Sequence, residues 1–131
     1  MMRTGTALWL VVTGMFLTPG VQAGPPPIAE TEINYLLTEV ANSHCEFNRN
    51  GSWYDAKSAA AHLSSKLQYL LAKDLIQSSE DFIDKAATLS GLSGHANEIR
   101  CNSGEAVPTA QWLRVLLARY RQSVELQVKV Q

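Results

Sequence analysis

The sequence predicts a mainly α domain: about four helices around one core, with a minimal two-stranded β element clipped by a disulfide. Three observations lead there. Four segments repeat apolar residues at helical spacing. Two short segments that lack this spacing each carry a cysteine, Cys45 and Cys101. These are the 2 cysteines of a 131-residue chain, so one intramolecular pairing is available.

The first helix follows a stiff Pro-rich tether over residues 24–28 and places Ile33, Leu36, Leu37, Val40 and Ala41 on one stripe. Glu30 and Glu32 sit in its first turn, where the helix dipole favours negative charge. His44 to Phe47 is short and extended. Asn48-Arg49-Asn50-Gly51 is a turn signal, because Asn-Gly tolerates positive φ. Trp53 and Tyr54 follow at once, and Asp55 is the N-cap of a second helix. Its stripe runs Ala56, Ala59, Ala60, Leu63, Leu67, Leu70 and Leu71. Ser78 or Ser79 caps a third helix, with Ser78 and Asp81 in a capping-box arrangement. Phe82, Ile83, Ala86, Ala87 and Leu89 form its inner face. Glu98 to Cys101 is the second extended piece. Pro108 suits the first turn of a fourth helix, whose stripe is Trp112, Leu113, Leu116, Leu117, Tyr120 and Val124. The tail from Val128 frays, and the single domain covers residues 29–127.

Residues 1–23 read as a cleavable secretory signal. Arg3 supplies the positive start, Ala7 to Leu17 the apolar core, Pro19 and Gly20 the helix break, and Val21-Gln22-Ala23 the small-x-small cleavage site. The apolar run is too short for a stable bilayer span, so no stable membrane insertion is expected after cleavage. An exported chain meets an oxidising compartment, which favours bridging Cys45 to Cys101. Closing a loop of about 57 residues contributes about 4 kcal/mol in the chain-entropy picture. The formal net charge is -1. A nucleic-acid binder carries a basic surplus that this chain lacks, so no nucleic-acid partner is expected.

Several of these residues together resemble the YfeK-like family of small periplasmic proteins of Gram-negative bacteria, whose function is unassigned. The likeness rests on Phe47, Arg49-Asn50-Gly51, Ala59, His62-Leu63, Lys66-Leu67, Glu80, Phe82-Ile83, Asp84-Lys85 and Ser93-Gly94. It extends from roughly Glu39 to Leu117. In that family the Ser-Gly pair is usually followed by Lys-Pro-Tyr, whereas here His95-Ala96-Asn97 follows. The resemblance implies a periplasmic location and a helical architecture. It supplies no catalytic residue.

Candidate binding residues are Arg49, Asn50, Trp53, His62 and Lys66. A turn sets the Arg49 guanidinium at a defined place, and Arg suits planar anions such as carboxylates. The competing explanation is a structural turn whose Arg pairs with a nearby Glu. Trp53 beside Arg49 can anchor a partner, since Trp, Tyr and Arg are enriched at interface hot spots. His62, Lys66, Tyr69 and Lys73 follow one line of the second helix and form either the basic edge of a groove or a boundary layer over apolar surface. Arg49 and Trp53 are expected to be partly exposed on the same side as His62. His44, Cys45, His62, His95 and Cys101 show no paired zinc-ligand spacing, so neither metal nor other cofactor is expected. There is no Gly-x-Ser-x-Gly elbow, no Ser-x-x-Lys set with its companions, and no identifiable acid pair. The expectation is therefore a periplasmic interaction or accessory module that binds an envelope protein, a peptide or another envelope component. The alternative is a small envelope-acting hydrolase or hydrolase inhibitor. A concave site with converging titratable groups would mark an enzyme.

Overall fold

The computed structural model describes residues 5, 7, 10–16, 24–91 and 93–131. Most of the expected leader lies outside the described residues. Where it is described, Leu10, Val11, Met15 and Phe16 are exposed and take no part in the core.

In chain order the elements are α1 (Pro27–Asn42), β1 (Glu46–Arg49), β2 (Ser52–Asp55), α2 (Ala56–Ala72), α3 (Ser79–Phe82) running into a π turn (Ile83–Ala87), β3 (Glu98–Arg100), β4 (Val107–Pro108) and α4 (Thr109–Val130). The expected minimal two-stranded element is wrong. The strands form one antiparallel sheet of four, in the order β2-β1-β3-β4. The helices pack around that sheet as well as on one another.

The anticipated pairing of the two cysteine-bearing pieces does occur, between β1 and β3, with Glu46 opposite Arg100. The Cys45–Cys101 disulfide flanks this pair, its Cα atoms 4.4 Å apart. Two more strands were hidden beside helix starts. Asn50 and Gly51 both have positive φ, 51° and 83°. That combination makes a two-residue hairpin turn whose twist returns the chain along β1. Trp53 and Tyr54 therefore lie in a strand rather than in a lead-in to α2. At the other edge Val107 and Pro108 pair with Ile99 and Glu98. Pro108 has no N–H to donate, which an edge strand tolerates.

The caps follow local chemistry. Asp55 Oδ1 accepts the Ser58 N–H at 2.8 Å, and Ser78 Oγ accepts the Asp81 N–H at 3.0 Å. Asp81 reaches back one residue beyond the usual box and accepts the Gln77 N–H at 2.9 Å. Pro27 opens α1, so the helix takes in two residues assigned to the tether; a first-turn proline forfeits only an N–H that has no helical partner. α4 runs on to Val130 instead of fraying at Val128.

Ile33, Leu36 and Val40 of α1 meet Leu63 and Leu67 of α2, Phe82 and Ile83, and Leu113 and Leu117 of α4. Phe47 and Ile99 close this core from the sheet. Leu89, expected inside, is 54% exposed, because the π turn has ended and the chain is leaving for a bridge with Ala96.

The first and fourth helices are joined by one ion-pair cluster. Glu32 is 4% exposed. Arg121 donates to both of its carboxylate oxygens, Nε to Oε2 at 2.7 Å and Nη2 to Oε1 at 2.9 Å. Ser79 Oγ donates to Oε1 at 2.8 Å, and Arg121 Nη1 also donates to Glu80 at 2.6 Å. The Arg121 guanidinium, assisted by Ser79, holds the Glu32 carboxyl below the usual range against the opposing effect of burial. Arg114 pairs instead with Asp84 of the π turn.

Candidate anion-binding cleft

Hairpin register decides which side chains share a face. Counting out from the turn, Arg49 opposes Ser52, Asn48 opposes Trp53, and Phe47 opposes Tyr54. Side chains alternate along a strand, so Phe47, Arg49 and Tyr54 share the face turned towards α2. The Arg49 guanidinium lies over the Tyr54 ring, 4.7 Å from its centroid. Trp53 belongs to the opposite face, where Arg100 stacks on it at 3.9 Å and pairs with Glu46. The expectation that Trp53 joins Arg49 and His62 is thus corrected; the aromatic beside Arg49 is Tyr54.

Between the hairpin and the start of α2 lies a cleft of about 200 Å³. Phe47, Tyr54, Ala59 and Leu63 give it an apolar lining, and Arg49 and His62 bring titratable groups to it. Asn97 and Thr109 line it as well. Thr109 is 2% exposed, and its Oγ1 has no hydrogen-bond partner among the described residues.

The other two predicted residues hold the cleft's surroundings together. The Asn50 N–H donates to Ser90 Oγ at 2.9 Å, and Asn50 Oδ1 accepts the Ser93 N–H at 3.0 Å. Ser90 Oγ donates in turn to Asn97 Oδ1 at 2.6 Å, and Asn97 Nδ2 donates to the Ala87 carbonyl at 3.1 Å. Lys66 Nζ donates to the Leu89 carbonyl at 3.2 Å. Asn50 and Lys66 therefore strap the loop after the π turn onto the hairpin tip and α2. This gives the Ser93-to-Asn97 segment a structural role.

The local field is positive. Among the described residues no carboxylate pairs with Arg49, His62 or Lys66. Burial, then the charges of Arg49 and Lys66, push the His62 imidazole below its ordinary pKa, so it is neutral at pH 7. Burial, then Arg49, likewise lowers the Lys66 ammonium. An anion entering the cleft would reverse these repulsions. Ser58 lies one helical turn before His62 and also lines the cleft, but among the described residues no hydrogen bond joins the two side chains. What the arrangement can do chemically is hold an anion beside an apolar body. No three His, Cys, Asp or Glu side chains among the described residues converge as a metal-binding group.

Sequence reasoning named Arg49 and His62 and missed Tyr54 and Thr109. The hairpin register, countable from Asn50-Gly51, would have supplied Tyr54. No sequence signal marks Thr109, whose place depends on where β4 meets α4.

A model of a family of unknown function (DUF5329) matches residues 27–121, from the start of α1 to Arg121 of α4. No curated protein and no solved structure matches. No helix among the described residues is long and apolar enough to cross a membrane.

Proposed function

The chain belongs to DUF5329, a family of unknown function, and we propose that it is an exported, periplasmic binding module whose cleft holds a carboxylate-bearing protein, peptide or envelope component. The observation that carries this reading is the Arg49 guanidinium, without an acidic partner among the described residues, on the wall of an apolar recess that His62 also lines. A guanidinium left without an acidic partner in a half-buried place offers a planar, two-pronged donor to a carboxylate. Export is supported by the leader pattern of residues 1–23 and by the Cys45–Cys101 bridge, which persists in oxidising compartments.

The test is an amide chemical-shift titration of the exported chain with 3-phenylpropanoate and with its neutral amide. The acid is expected to shift Arg49, Tyr54 and His62, the amide to shift them much less, and Arg49→Ala to abolish the response. Shifts elsewhere, or an equal response to the amide, would remove the reading. Intact mass of periplasmic material is expected to start at Gly24.

A further inference from the structure

The cleft's size, charge and position in the sheet together narrow the ligand. Its volume of about 200 Å³ somewhat exceeds the roughly 150 Å³ of an engineered cavity that admits benzene. It therefore takes one ring-sized apolar group and little more. Arg49 supplies one permanent cation at the cleft wall, while the neighbouring imidazole is neutral at pH 7. That suits a single carboxylate better than a multiply charged anion.

The sheet shows how a longer ligand would leave. β2 is an end strand of the β2-β1-β3-β4 order. In a hairpin closed by two residues, the pairs Arg49–Ser52 and Phe47–Tyr54 exchange the ladder bonds. The Trp53 N–H and C=O then point away from β1, along an edge where Ser52, Tyr54 and Asp55 are exposed. Tyr54 of this strand also lines the cleft. An extended chain leaving the cleft would meet that free edge and could add itself as a strand.

We infer that the cleft receives the C-terminal residue of a peptide ending in a bulky apolar side chain, with the terminal carboxylate on Arg49 and the preceding backbone along the free edge of β2. This rests on the carboxylate-binding reading above and commits it to a chain end.

Calorimetric titration of the exported chain tests it with three probes: acetyl-Gly-Ala-Phe with a free carboxylate, the same peptide as its amide, and 3-phenylpropanoate. The free-acid peptide is expected to bind about tenfold or more tighter than either of the others, a charge-assisted contact and a strand edge each being of that order. Equal binding of acid and amide peptides overturns both the inference and the carboxylate reading. If 3-phenylpropanoate binds as tightly as the peptide, the chain-end inference falls and the carboxylate reading stands.

Discussion

Arg121 and Arg49 are the same residue type in opposite situations. Arg121 spends its donors on Glu32 and Glu80 and ties α1, α3 and α4 into one seam. Arg49 stacks on Tyr54 and meets no carboxylate among the described residues. Burial of Glu32 is tolerable only because Arg121 and Ser79 compensate its charge. At the cleft no carboxylate faces Arg49 among the described residues, and His62 and Lys66 are both pushed toward their neutral forms. A satisfied charge reports architecture. A guanidinium left without a carboxylate beside an apolar recess can pair with something that is not part of the chain.

The frame common to both regions should give the largest effect. Cys45→Ser with Cys101→Ser is expected to cost about 4 kcal/mol in urea unfolding; a loss below about 1 kcal/mol would mean that strand and helix packing alone hold β1 to β3. Next comes the seam. Arg121→Ala leaves Glu32 buried without its main partner and is expected to cost about 3 kcal/mol. The pH dependence follows from Glu32, whose folded pKa is lowered from 4.5. Its contribution is present above pH 4.5 and is lost as pH falls through the lower folded value. Glu32→Gln should therefore flatten the acid limb of the stability curve, and an unchanged limb would contradict the pairing. At the cleft, Arg49→Ala removes only the stack on Tyr54 and should change stability by about 0.5 kcal/mol or less.

The smallest effect belongs to His62. Its folded pKa lies below 6.5, so the folded state binds fewer protons than the unfolded one near that pH. Stability should fall gently as pH drops from 6.5 to the folded value, and His62→Gln should remove that slope. A bound carboxylate should raise the His62 pKa. Affinity should then increase as pH drops through the same window, until the ligand itself takes up a proton. An NMR titration of the His62 ring with and without 3-phenylpropanoate checks both signs.

Signals within a few residues were legible in the sequence. The Asp55 and Ser78 caps, the α2 stripe and the Asn50-Gly51 turn each depend on near neighbours, and the pairing of Cys45 with Cys101 had no rival. The sheet's full extent was not legible, because β2 and β4 are 4 and 2 residues long and abut helix starts. Trp53-Tyr54 and Pro108 each have an equally good local explanation as the approach to a helix. Only cross-strand partners distant in sequence decide otherwise. The site divides the same way. Arg49 and His62 stood out by chemistry, whereas the strapping roles of Asn50 and Lys66 depend on Ser90, Ser93 and Leu89, 23 to 43 positions downstream. Trp53 was misplaced by proximity in sequence, since a neighbouring residue in a strand faces the other way.

The most direct measurement of the central claim is a crossed comparison of Arg49→Ala and Arg121→Ala, each melted and each titrated with 3-phenylpropanoate below its melting temperature. Arg49→Ala is expected to melt like the parent and no longer bind, and Arg121→Ala to melt well below the parent and bind undiminished. Arg49→Ala that melts low and still binds would make Arg49 a structural residue and leave the cleft without its function.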